Sequence, residues 1–144
     1  RALRVDKLTF ALLDNTLRTY ISETEFNAKN LSLSLLSRDR KDIQYLGNRI
    51  LTKVSSKIID KYNIEIVNTM VEAGSGAMPI NSLESLGIKF GKHHITPNVL
   101  SKRFRHASTP IVGYIKEDQY IIDLKAIPID CADILSKMIS EVLS

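Results

Sequence analysis

The first twenty-one residues constrain the fold most, because their apolar side chains fall on two sides of a helix rather than one. Stepped at about 100° per residue, Leu3, Phe10, Leu13, Leu17, Tyr20 and Ile21 share one face, while Val5, Leu8 and Leu12 share roughly the opposite one. A surface helix carries a single apolar stripe, and one that is apolar on two sides is normally packed between two partners. The expectation is a piece cut from a larger protein, since the chain opens on Arg1 and offers nothing N-terminal as the second partner.

The rest of the chain reads as one small α+β domain. Its 144 residues, 44% hydrophobic and 25% charged, place it among globular chains that fold alone. It has no apolar run near the roughly 20 residues that span a bilayer and no recognisable signal peptide, so a membrane role has no support. Cys131 is the single cysteine, which rules out an intrachain disulfide and makes a reducing cytoplasm the expected setting. It opens an amphipathic segment, where a buried small side chain is a better reading than a nucleophile.

Ser22 to Ser37 reads as a connection with a short extended piece at Leu31 to Leu36, and a long helix is expected from about Arg38 to Lys61, with Ile43, Leu46, Ile50, Val54 and Ile58 on one face. Asn63 to Val71 and Ser82 to Phe90 read as strands around the glycine-rich Glu72 to Pro79. That loop lacks the further glycines, the lysine or the immediate helix of a phosphate cradle. Thr96-Pro97 marks a helix start, threonine as cap and proline at the first turn, running to about His106. Thr109 to Lys116 and Gln119 to Lys125 form a hairpin around Glu117-Asp118, and Asp130 caps a closing helix whose buried stripe is Cys131, Leu135, Met138 and Val142. The expected fold is an antiparallel sheet of about four strands with helices on one face.

The net charge of +4 is unevenly spread. Lys89 to His106 holds Lys89, Lys92, Lys102, Arg103 and Arg105 with His93, His94 and His106 and no acid, whereas Glu117 to Ser144 holds six acids against two lysines. A basic run can meet a phosphate backbone or be an ordinary solvated face. His93 and His94, as neighbours on a strand, point to opposite sides and cannot share a metal; no metal site is expected. Glu117-Asp118 suits a turn better than acid-base work. Arg1 and Arg4, at i and i+3, adjoin on one helix face, where a forked guanidinium pair can hold an oxyanion or simply be solvated.

Motifs across the chain decide between these readings. Arg1-Ala-Leu-Arg-Val-Asp-Lys-Leu8 resembles the helix linking large and small domains in bacterial selenocysteine synthases, the L-seryl-tRNA(Sec) selenium transferases. Leu31-Ser-Leu-Ser-Leu-Leu-Ser-Arg38 resembles that family's entry into the small domain, and Ala73-Gly-Ser-Gly-Ala-Met-Pro79 a diverged form of its Gly-Gly-Ser-Leu-Pro-Gly segment. Leu100-Ser-Lys-Arg-Phe-Arg-His-Ala-Ser-Thr-Pro-Ile-Val-Gly-Tyr-Ile115 with Ile121-Ile-Asp-Leu-Lys125 resembles its closing signature: a Leu-Arg helix, Pro-x-Val/Ile-x-Gly-Arg-Ile, a turn and Leu-Asp-Leu-Arg. Ile80, Tyr114 and Gln119 depart from it, standing where the family has glycine, arginine and glycine.

The resemblance implies the C-terminal small domain of a fold-type-I pyridoxal-phosphate enzyme, residues 1–22 as the interdomain linker helix and 23–144 as the small α+β domain. It implies a parent, a homo-oligomer with a large cofactor-binding domain upstream, that converts seryl-tRNA(Sec) to selenocysteinyl-tRNA(Sec) with selenophosphate. Arg1 and Arg4 match the family's Arg-Ala-Leu-Arg pair and would bind the selenophosphate-like anion; Lys102, Arg103 and Arg105 would contact the tRNA. None of the 12 lysines stands in the family's Ser-x-Asp-Lys context, so no catalytic residue is expected in this stretch, nor bound pyridoxal phosphate or turnover by it alone. Two alternatives are the small domain of another fold-type-I lyase or desulfurase and a free-standing basic RNA-binding module.

Overall fold

The computed structural model describes residues 5–21, 30–72, 82–91 and 95–144. Two compact units divide at Ser37 and Arg38.

The first unit contains α1 (Lys7–Arg18) and α2 (Leu31–Leu36). Asp6 starts α1 by accepting the Thr9 amide at 2.8 Å, satisfying one of the orphan donors of a helix start. No residue of α1 is buried. Both apolar faces are open, with Leu8 70% and Leu12 61% exposed on one side and Phe10 61% and Leu13 52% on the other. At Leu31 to Leu36 the structure corrects the extended piece expected from alternating Leu and Ser. Asn30 caps the segment through a 3.2 Å bond from the Leu33 amide, and leucine, a good helix former, continues it for six residues.

The second unit carries α3 (Arg40–Leu51), α4 (Ser56–Tyr62), β1 (Ile64–Glu72), β2 (Ser82–Phe90), α5 (Pro97–Arg105), β3 (Tyr114–Lys116), β4 (Gln119–Asp123), a 3₁₀ turn (Ile129–Cys131) and α6 (Ala132–Leu143). Its strands form one antiparallel sheet in the order β1-β2-β4-β3, flanked by helices, the α+β class expected. The register puts Ile64 opposite Phe90, Ile66 opposite Ile88, Ile88 opposite Ile122 and Phe90 opposite Tyr120. Side chains alternate between faces along a strand, so these residues share the face that packs with Ile43, Leu46 and Ile50 of α3, Leu100 and Phe104 of α5 and Leu135 and Ile139 of α6 in one core. Phe90, Phe104 and Tyr120 form an aromatic cluster with centroids 5.3 to 5.7 Å apart.

The single helix expected over Arg38 to Lys61 is two. Thr52 ends α3, its hydroxyl donating back to the carbonyls of Asn48 (2.8 Å) and Arg49 (3.0 Å), a local bond that competes with helix continuation. The apolar periodicity survives the break, since Val54 is buried and Ile58 packs against the core. The strands at β1, β2 and β4 and the helix from Thr96 stand as expected, with Thr96 accepting the Val99 amide. Of Thr109 to Lys116 only Tyr114–Lys116 is strand.

Glu117 and Asp118 have φ of 50° and 59°, the left-handed pair that a two-residue type I′ hairpin loop requires. The closing helix differs in its start. Asp130 lies inside the 3₁₀ turn and is not the cap; Cys131 precedes α6 and makes no side-chain cap bond. Cys131 and Val142 are half-buried, and the buried stripe is Ala132, Leu135, Ser136, Met138, Ile139 and Leu143. Ser136 enters the core because its hydroxyl is satisfied by Ala132 O at 2.8 Å and Ile50 O at 3.2 Å.

Candidate functional site

The site begins with the spacing of α5. Leu100 and Phe104 anchor it in the core, which turns Asn98, Ser101, Lys102 and Arg105, at i, i+3, i+4 and i+7, toward the end of the sheet. There they line an open cleft of about 540 Å³ with His106, Gly113, Tyr114 and Ile115. Lys102 and Arg105 are exposed. Among the described residues the ion pairs lie elsewhere, between Arg18 and Asp14, between Arg49 or Lys53 and Asp133, and between Lys89 and Glu65. A helix C-terminus carries only about half a negative charge, so three unpaired cations in the last turn of α5, Lys102, Arg103 and Arg105, leave this end positive.

His106 closes that turn, with Nδ1 2.8 Å from the Lys102 carbonyl. A carbonyl only accepts, so Nδ1 is the protonated nitrogen and Nε2 remains for another partner. Under the cleft wall lies Tyr120, fully buried, with its hydroxyl against the Gly113 backbone. Burial raises its pKa, and the Gly113 amide and the Arg105 charge act against that rise. Gly113 has no room for a side chain: a Cβ there would stand 2.4 Å from Ile121 O and 2.8 Å from the Tyr120 hydroxyl.

Tyr114, where the family signature has arginine, lies opposite Ile121, while Ile115 lies opposite Tyr120. Its ring is therefore on the sheet face away from α5, and it meets the cleft through its main chain. That outer face holds a polar cluster the sequence did not disclose. Asp123 accepts from Thr69 Oγ1 at 2.6 Å, Ser85 Oγ at 2.7 Å and the Lys125 amide at 2.9 Å. Thr69 is on β1 and Asp123 on β4, with β2 between them. They meet over Gly87, whose absent Cβ would stand 3.0 Å from Thr69 Cγ2 and 2.7 Å from Ile121 Cγ2. Burial raises the Tyr114 phenol, Asp123 adds to the rise and Thr69 opposes it.

Of the residues singled out in the sequence, Lys102 and Arg105 meet in the cleft, and Arg103, on the same turn, is exposed outside it. Lys89 is partnered with Glu65 across β1 and β2. Arg1, Arg4, Lys92, His93, His94 and the glycine-rich stretch at 73–80 lie outside the described residues. No group of three or more His, Cys, Asp or Glu side chains that could hold a metal occurs among the described residues, and no helix among them is long and apolar enough to cross a membrane.

Pyridoxal phosphate requires a lysine amine free to condense with its aldehyde and an enclosed seat for its ring and phosphate. The buried lysine, Lys125, donates Nζ to the carbonyls of Arg38 at 3.0 Å and Glu84 at 3.3 Å, Lys53 and Lys89 are held by carboxylates, and Lys102 stands on an open surface. The described residues do not fit that group.

What fold and site define is a small α+β domain with a basic cleft at one end of its sheet, without a complete catalytic set among the described residues. The family model for SelA, L-seryl-tRNA selenium transferase, matches residues 1–128, and the chain belongs to that family. It is similar to the L-seryl-tRNA(Sec) selenium transferase of Desulfotalea psychrophila, 31% identical over 141 residues, covering 98% of this chain and 30% of the relative. Its likeness to that of Proteus mirabilis is 34% over 131 residues, 88% of this chain and 28% of the relative, and to that of Shewanella oneidensis 28% over 139 residues, 96% and 29%. The chain spans less than a third of the length of these relatives.

Proposed function

We propose that this chain serves as the C-terminal part, linker helix (1–22) and small domain (23–144), of a cytoplasmic, homo-oligomeric, pyridoxal-phosphate-dependent enzyme that converts seryl-tRNA(Sec) to selenocysteinyl-tRNA(Sec) with selenophosphate. The observation that carries this reading is the family match over residues 1–128, supported by relatives named L-seryl-tRNA(Sec) selenium transferase. The cofactor lysine belongs to a large domain upstream in this reading, and the chain's own residues bind and orient. Arg1 and Arg4 hold the selenophosphate-like anion, each guanidinium offering a planar fork to its oxygens. The α5 face with Lys102, Arg103 and Arg105 attracts the tRNA backbone.

The test is a chimera in which this chain replaces the matching segment of the Desulfotalea psychrophila relative, assayed for selenium transfer from selenophosphate to seryl-tRNA(Sec). Transfer within about tenfold of the relative's own rate supports the reading. A chimera that folds, assembles and binds pyridoxal phosphate yet transfers no selenium overturns it.

A further inference from the structure

We propose that the cleft between α5 and β3 holds the sugar-phosphate backbone of double-helical RNA, with Lys102 and Arg105 as its phosphate contacts. This deepens the tRNA reading above and rests on it. Every side chain that α5 presents to the cleft, Asn98, Ser101, Lys102 and Arg105, carries an N–H or O–H donor, and no carboxylate lines it. Among the described residues the side chains of Asn98, Ser101, Lys102 and Arg105 are engaged by no hydrogen bond or ion pair. Such a wall suits an acceptor-only ligand with negative charge.

The form of the cleft selects among such ligands. A volume of about 540 Å³ open to solvent admits a backbone passing through, whereas a free small anion there would keep most of its water. An acidic peptide pairing with the sheet edge would find only the three residues of β3, too few for a ladder. Single strands are bound on rows of aromatic side chains that stack successive bases, and the cleft offers only the one ring of His106: Phe104 is in the core, and the register turns the Tyr114 ring to the other face. Backbone contacts that fix position but read no sequence are what remains.

The experiment measures fluorescence anisotropy of a fluorescein-labelled RNA hairpin on the 144-residue chain, with Lys102→Ala, Arg105→Ala, the double variant, and Lys57→Ala as a charge control. Lys57 is exposed on α4, which packs on β1 at the far edge of the sheet. Expected is a loss of about tenfold or more in the double variant, with the slope of log affinity against log salt reduced by about 1.5, since each phosphate contact contributes roughly 0.7 to 0.9. Arg103→Ala costs less than either cleft variant, changing the stem sequence alters affinity by less than about twofold, and single-stranded RNA binds more weakly.

A double variant no weaker than Lys57→Ala, with RNA still bound, overturns the cleft and leaves the tRNA reading to the chimera. Absence of hairpin binding at any salt also overturns the cleft, whatever the chimera does. Competition by inorganic phosphate beyond its ionic strength overturns it in favour of a small-oxyanion site, and displacement by polyglutamate in favour of an acidic protein partner. Circular dichroism of each variant separates lost contacts from lost fold.

Discussion

Replacing Asp123 by Ala should destabilise the sheet from its outer face. The carboxylate accepts from Thr69, Ser85 and the Lys125 amide at 2.6, 2.7 and 2.9 Å, and Thr69 and Ser85 are only 8% and 4% exposed. Hydrogen bonds to a charged group contribute about 1.5 to 3 kcal/mol, and a stranded buried donor costs about 1 to 3. Ser85 keeps a weak alternative in the Leu86 carbonyl at 3.4 Å, and Asp123 is half-buried, so the sum falls below the arithmetic maximum, at about 3 kcal/mol. With m of roughly 1.5 kcal/mol/M, the urea midpoint drops by about 2 M. Far-UV circular dichroism follows the transition, the chain having no tryptophan. Asp123→Asn keeps an acceptor and loses about 1 kcal/mol. Thr69→Val costs about 1 kcal/mol in the wild-type background and less beside Asp123→Ala, because the hydroxyl has then already lost its carboxylate acceptor. A midpoint shift under about 0.5 M, or a Thr69→Val cost that is the same in both backgrounds, would refute the cluster as a cooperative unit.

Gly113→Ala forces a Cβ to 2.4 Å from a backbone oxygen and should cost about 1 to 3 kcal/mol while weakening RNA binding, both measured on the same sample by urea titration and anisotropy. Asp133 is held below its ordinary pKa, chiefly by its hydrogen bond from Lys53 and further by Arg49, and Glu141 by its bonds from Ser108. A depressed folded-state pKa contributes stability above the unfolded value, near 4, that is lost as pH falls through the folded one. The urea midpoint should therefore fall on acidification below about pH 5, less steeply in Asp133→Asn and Glu141→Gln. In the chimera, Arg4→Ala should lower selenium transfer about tenfold to hundredfold without changing the cofactor's absorbance; unchanged kinetics in both Arg1→Ala and Arg4→Ala would return these residues to solvent. Val5, Leu8 and Leu12, each 50% exposed or more, should drive weak self-association of the 144-residue chain, since burial of such side chains contributes about 1.5 to 3 kcal/mol each. Sedimentation velocity should show it lost in Leu8→Glu; a concentration-independent monomer in both would contradict it.

Signals carried by one short stretch were legible: Thr96-Pro97 as a helix start, Glu117-Asp118 as a turn, and the isoleucines and leucines of α3 as a core face. What failed were choices between two local structures that the same stretch permits. Leu31 to Leu36 alternates like a strand, and only the Asn30 cap commits it to a helix. Thr52 lies within an unbroken helical pattern, and only its hydroxyl, turned back on Asn48 and Arg49, ends the helix. The site follows the same rule at longer range. The basic run was visible as composition, but Lys89 leaves it through Glu65, a partner fixed only by the β1-β2 register, and Arg103 is separated from Lys102 and Arg105 only by knowing that Leu100 and Phe104 are the buried side of α5. Asp123, Thr69 and Ser85 come from three strands, and their meeting depends on Gly87 lying flat between them. A glycine flanked by Leu86 and Ile88 in a buried strand was the one local sign of it, because such a gap is filled from neighbouring strands when the residue itself has no side chain. Charge and polarity in this domain acquire their roles from register, so the residues that matter for recognition and for sheet stability are those whose partners are farthest away in the chain.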